Sequence, residues 1–139
     1  MAFTDLPAHW PRLALTPVSL VHDVLDLCVS NADRVTGGLA LLVLRQDLTL
    51  AQPIFVAGPI PRLDRHEILK TLLRQASRGG MDGTFIGAIV HHHAQLTDDD
   101  RALHQTIIDA CDELGFRLLS THLLADGCAE LLPVARLVA

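Results

Sequence analysis

Phe85-Ile-Gly-Ala-Ile-Val-His-His-His93, followed by Thr97-Asp-Asp-Asp100, is the stretch on which the fold turns. Phe85 to Val90 is too short an apolar run for a helix and long enough for a buried strand after the turn-forming Asp82-Gly83. The strand runs directly into three histidines. Thr97 with Asp100 three positions on has the form of a capping box, and Leu103, Ile107, Ala110, Cys111 and Leu114 then make an apolar stripe at helical spacing. Gly115 ends that helix. A strand, a short polar loop and a long amphipathic helix are the beginning of a βαβ unit.

Working outward from this centre, Phe116 to Leu124, Asp126-Gly127 and Cys128 to Val134 read as a hairpin with a favoured turn. Upstream, Ile68, Leu69, Leu72, Leu73 and Ala76 predict a helix from Asp64 to Gly79-Gly80. Before it, Leu39 to Leu44 and Leu48 to Val56 read as two strands, with Pro53 marking an edge or a bulge. Val18, Val21, Val24, Leu25 and Cys28 predict one amphipathic helix over residues 18–31. Residues 1–17 hold three prolines and Trp10, and read as an irregular arm that Trp10 pins to the domain. The order is α-β-β-α-β-α-β-β, and the fold class is α/β: one domain with a mixed β-sheet flanked by helices, spanning 18–139 after the arm.

Composition agrees with one core. The chain has 139 residues, 50% hydrophobic and 19% charged, enough for one ordinary packed domain. Its 11 Lys+Arg against 16 Asp+Glu give a net charge of -5, and the basic residues are scattered, so no nucleic-acid partner is expected. Cys28, Cys111 and Cys128 lack CxxC spacing and read as buried thiols of a reducing, cytoplasmic protein. No apolar run approaches the ~20 residues of a membrane span, and the first residues do not resemble a signal peptide.

The chemistry concentrates where the histidines meet the aspartates. Strand alternation puts His91 and His93 on one face and turns His92 away. Asp100, in the first turn of the next helix, would face them. Two imidazoles and one carboxylate are a ligand set that leaves zinc an open position. The same residues have a plainer reading: Asp98, Asp99 and Asp100 suit a helix N-terminus, and a polar loop holds exposed histidines without a function. His104, one turn after Asp100, is either a surrogate ligand or a solvated surface histidine. His9, His22 and His122 stand alone and carry no assigned role. No Gly-rich phosphate loop, nucleophile elbow or Cys-His pair is present, so acyl-enzyme chemistry is not expected.

Taken together, Ile86-Gly-Ala-Ile-Val-His-His-His93, Thr97-Asp-Asp-Asp100, Ala110 to Leu119 and Leu124-Ala-Asp-Gly127 resemble the core of the RadC family, within the JAB/MPN (JAMM) metalloprotease-like superfamily. The family motif is His-x-His-Pro, a loop, then Ser-x-x-Asp. His91 and His93 match its metal-ligand histidines, Asp100 its ligand aspartate, and Thr97 stands in place of the serine behind that aspartate. Arg65-His-Glu67-Ile-Leu-Lys70 resembles the family's Arg-Glu-Ile/Val-Phe-Lys helix start. The Pro-Ser-Gly after the second histidine is absent, and the loop to Thr97 is shorter by about four residues. The resemblance implies a JAB/MPN (cytidine-deaminase-like) architecture and a Zn2+-dependent hydrolase acting on a peptide-type carbonyl in a peptide or protein substrate. His91, His93 and Asp100 would hold the metal, and Glu67 would be the candidate general base, although an acid in a first turn also has a purely structural use. The alternative is a non-catalytic JAB/MPN-fold binding or assembly module with a degenerate or idle metal site.

Overall fold

In the computed structural model, which describes residues 6–78, 83–93 and 95–132, the chain runs α1 (Val18–Cys28), α2 (Asn31–Thr36), β1 (Gly38–Leu44), β2 (Leu50–Ala57), α3 (Arg65–Ala76), β3 (Thr84–Val90), α4 (Asp98–Leu114), β4 (Arg117–Ala125) and β5 (Cys128–Leu131). The five strands form one mixed sheet in the order β2-β1-β3-β4-β5. β1 pairs antiparallel with both β2 and β3, β3 pairs parallel with β4, and β4 turns back antiparallel into β5. A parallel pair needs a crossover, and α4 supplies it.

β1 and β3 are buried almost from end to end, so both faces of the sheet centre must be covered. Leu39, Leu41, Val43, Phe85 and Ile89 point to one face and pack with Leu69 and Leu73 of α3 and Leu103 and Ile107 of α4. Ala40, Leu42, Leu44, Ile86, Ala88 and Val90 point to the other and pack with Val21, Val24 and Leu25 of α1. The molecule is thus helix, sheet, helix in section. Pro53, which has no N–H to donate, sits in the edge strand β2 as expected. In the arm, Trp10 opens a short 3-10 turn and packs against the α1 side, while Leu15 is buried and donates its N–H to Leu48 O at 2.9 Å.

Several boundaries differ from the sequence expectation. The helix expected over 18–31 is two helices: α1 stops at Cys28, and Ser30 opens α2 with a complete capping box. Ser30 Oγ accepts from Asp33 N at 3.1 Å and Asp33 Oδ2 accepts from Ser30 N at 3.2 Å. β2 begins at Leu50 rather than Leu48, because Leu48 has φ 68° in the preceding turn. β5 ends at Leu131, Leu132 follows it outside the strand, and residues 133–134 of the expected strand lie outside the described residues, as do Gly79-Gly80 and Asp82. Among the described residues no helix is long and apolar enough to cross a membrane.

Candidate functional site

His91 stands one residue beyond β3, and its N–H continues the ladder by donating to Leu124 O at 2.9 Å. That places its side chain on the α3/α4 side of the sheet. Asp100 meets it from the first turn of α4. The aspartate is fixed before it does anything else: Thr97 N donates to Asp100 Oδ2 at 2.8 Å, and Asp100 N donates to Thr97 Oγ1 at 3.1 Å. Held by this box, the buried carboxylate lies 2.6 and 2.5 Å from His91 Nε2 through its two oxygens. Toward an ionised carboxylate Nε2 is a proton donor.

The acidic triplet therefore splits into three different contacts. Asp98 is exposed and pairs with Arg101 at 2.9 Å. Asp99 accepts from Arg65 at 3.1 and 3.3 Å and from Arg62 at 2.8 Å, and the Arg65 hydrogen bonds hold its carboxyl below the usual range. Arg65 is buried and also donates to Ile60 O at 2.7 Å, which ties α3 to the start of α4. A cleft of about 140 Å³ opens between these groups, walled by the backbone of Gly37, Gly38 and Gly58 and by Ile60, Arg65, His91, Asp99, Asp100 and Leu103.

His93 is on the same side as His91, as alternation requires, although β3 has already ended at Val90. The two rings stack, with centroids 4.9 Å apart and planes 15° from parallel. An imidazole binds a metal through a lone pair lying in the ring plane. Nearly parallel stacked rings do not share such a point, so an ion in the plane of one stands off the plane of the other. The donor chemistry of His91, His93 and Asp100 suits zinc, but their arrangement does not, and among the described residues no group of three or more His, Cys, Asp or Glu is disposed to hold a metal ion.

Glu67 is placed elsewhere. Its side chain is 68% exposed and 3.4 Å from Lys70 Nζ, and it is not among the residues walling the cleft. Lys70 sits closer to Glu113, at 2.8 Å, and His66 lies 2.6 Å from the same carboxylate. Those bonds, Lys70's foremost, push the Glu113 carboxyl down to about 2. His104 is not the solvated surface residue that was the simpler expectation: it is buried on the inner face of α4, its Nε2 has no hydrogen-bond partner among the described residues, and burial lowers its pKa.

Of the three histidines that stood alone in the sequence, His22 and His122 meet in the fold, while His9 is exposed. His22 Nε2 and His122 Nδ1 are 2.9 Å apart across 100 positions, and His122 Nε2 is 2.8 Å from Ser120 Oγ. Two signals were available: His22 shares the α1 stripe of Val18, Val21 and Leu25, and Ser120 and His122 are two apart on one strand. Neither signal names its partner. No family model matches this chain, and no curated protein matches it.

Proposed function

We propose that the domain is a non-catalytic binding or assembly module at the His91–Asp100 cleft, of the JAB/MPN type that the sequence resembles, with a cytoplasmic peptide or protein segment as its partner. The observation that carries this reading is the stacking of His93 on His91, which leaves Asp100 with one imidazole rather than two. Three further features agree with it. His91 and Asp100 already satisfy each other, Asp100 is also engaged in the Thr97 cap, and Glu67 is paired with Lys70 outside the cleft. The short loop between His93 and Thr97 has a physical part in this, since Leu96 packs against the core and draws the chain directly into α4.

A zinc-dependent hydrolase is the second reading, and one observation favours it: His93 is exposed, so rotation about its side-chain torsions can take its ring out of the stack. In that case His91, His93 and Asp100 would hold the metal, with Thr97 behind Asp100, and the metal would polarise the scissile carbonyl. Metal content decides between the two. Untagged protein dialysed against zinc and then against buffer should retain far less than one zinc per chain. One zinc per chain, lost in both His93→Ala and Asp100→Ala, would overturn the binding-module reading in favour of the hydrolase.

A further inference from the structure

Ser120 and His122 lie two positions apart on β4, so their side chains leave the same face of the sheet, the one covered by α1. His22 descends onto His122 from α1. The contacts run in one line: Ser120 Oγ to His122 Nε2 at 2.8 Å, then His122 Nδ1 to His22 Nε2 at 2.9 Å, with the rings edge to face at 85°. Two proton arrangements satisfy all of it, one in each direction along the line, and one of them leaves His122 Nε2 as the acceptor. In that one the Ser120 hydroxyl donates to His122 Nε2, the His122 Nδ1 proton is donated to His22 Nε2, and both imidazoles are neutral. Burial, foremost, holds His122 down to about 4, so the imidazole is unprotonated at neutral pH.

With His22 Nε2 as acceptor the His122 proton sits on Nδ1, and His122 Nε2 can take a proton from Ser120. That is the requirement for an activated hydroxyl nucleophile. Ser120 is also reachable. It lines a cleft of about 420 Å³ whose walls are largely apolar, among them Leu15, Val18 and Leu119, and Arg117 lines the same cleft without an ion-pair partner among the described residues. A purely structural hydrogen-bond chain would not need its hydroxyl end to open onto a cavity that a cation also lines.

We propose that Ser120, His122 and His22 form a nucleophilic relay that hydrolyses carboxylic esters with an apolar acyl group. Ser120 Oγ attacks the carbonyl carbon while its proton passes to His122 Nε2. The tetrahedral intermediate expels the alcohol, which leaves with that proton, and an acyl-Ser120 ester remains. Water, deprotonated by His122 in the same way, then releases the carboxylic acid and restores the serine. Ser120 and His122 are the catalytic residues, His22 is a positioning residue, and Arg117 faces the negative charge that develops on the carbonyl oxygen. This site is on the opposite side of the sheet from the His91–Asp100 cleft, so it is independent of the binding proposed there.

The test uses the intact protein and an alkyl fluorophosphonate, whose phosphorus takes Ser120 Oγ as fluoride leaves. Mass spectrometry should find one adduct per chain, mapped to Ser120, and none in Ser120→Ala. Hydrolysis of p-nitrophenyl octanoate should fall at least about 100-fold in Ser120→Ala, the scale of a lost nucleophile–base pair. His22→Phe should be labelled at least about tenfold more slowly, with a changed pH profile of the labelling rate. Folded wild-type protein that stays unlabelled, an adduct on another residue, or wild-type ester hydrolysis in Ser120→Ala would overturn the proposal. An unchanged rate and profile in folded His22→Phe would overturn the three-membered relay, and the Ser120→Ala comparison stands if that larger substitution fails to fold.

Discussion

Asp100 does two jobs with one carboxylate, and substitutions can separate them. It closes the α4 capping box with Thr97, and it faces His91 from a site only 4% exposed. Thr97→Ala removes the hydroxyl acceptor alone and should cost about 1 kcal/mol. Asp100→Ala removes the reciprocal half of the box and also leaves His91 Nε2 without its acceptor, which should bring the loss to about 2–4 kcal/mol. Urea unfolding of both variants checks this, and an equal loss in the two would mean that the His91 contact contributes nothing. The convergence of His91 and Asp100 was legible in the sequence because it depends on strand alternation and a short loop, both local. The tilt of the His93 ring was not legible, because it depends on how a side chain settles after the strand has ended.

Helices and strands divide in the same way between local and distant causes. β1 and β3 were legible because a run without polar residues is unstable except between two covering layers. The break between α1 and α2 was missed although its signal, Ser30-Asn-Ala-Asp33, is a capping box of the same kind as the one read correctly at Thr97. An apolar stripe is read as continuous unless the cap is weighed against it. Register also constrains single residues: Gly38, at the start of β1, has φ 153°, and a Cβ placed there would lie 2.1 Å from Val56 O in the neighbouring strand. The clash is with backbone, which cannot swing aside. Gly38→Ala should therefore lower the unfolding free energy by more than the ~1 kcal/mol of an ordinary glycine replacement, whereas Gly115→Ala, with open space around it, should stay near that value. Comparable thermal midpoints for the two variants would contradict this register.

At the scale of the whole molecule, the buried histidines make folding stability depend on pH. His122 has an unfolded-state value of 6.5 and is pushed down to about 4 in the fold, by burial first and by His22 second. His22 and His104 are lowered as well, both chiefly by burial. For a histidine lowered by folding, the unfolded chain binds the proton more readily, so stability rises with pH across the interval between the two values. The contribution is complete above about 6.5 and is lost progressively as pH falls toward about 4. His122 alone accounts for on the order of 3 kcal/mol over that interval. Carboxylates act in a lower window: Asp99 and Glu113 are held down by their cationic partners, so their contributions are present above the ordinary carboxylate range and disappear only as pH falls through and below it. Lys70, raised chiefly by its bond to Glu113, acts at the other end and loses its contribution only above 10.5. The two acid-side windows can be told apart. Urea midpoints should fall between pH 6.5 and 4.5, before the paired carboxylates titrate, and the histidine NMR signals of the native state should show His122 still neutral at pH 5. A native-state His122 that protonates near pH 6.5, or a midpoint that is flat down to pH 4.5, would mean that the pair under α1 is open to water and not buried as the sheet and helix place it.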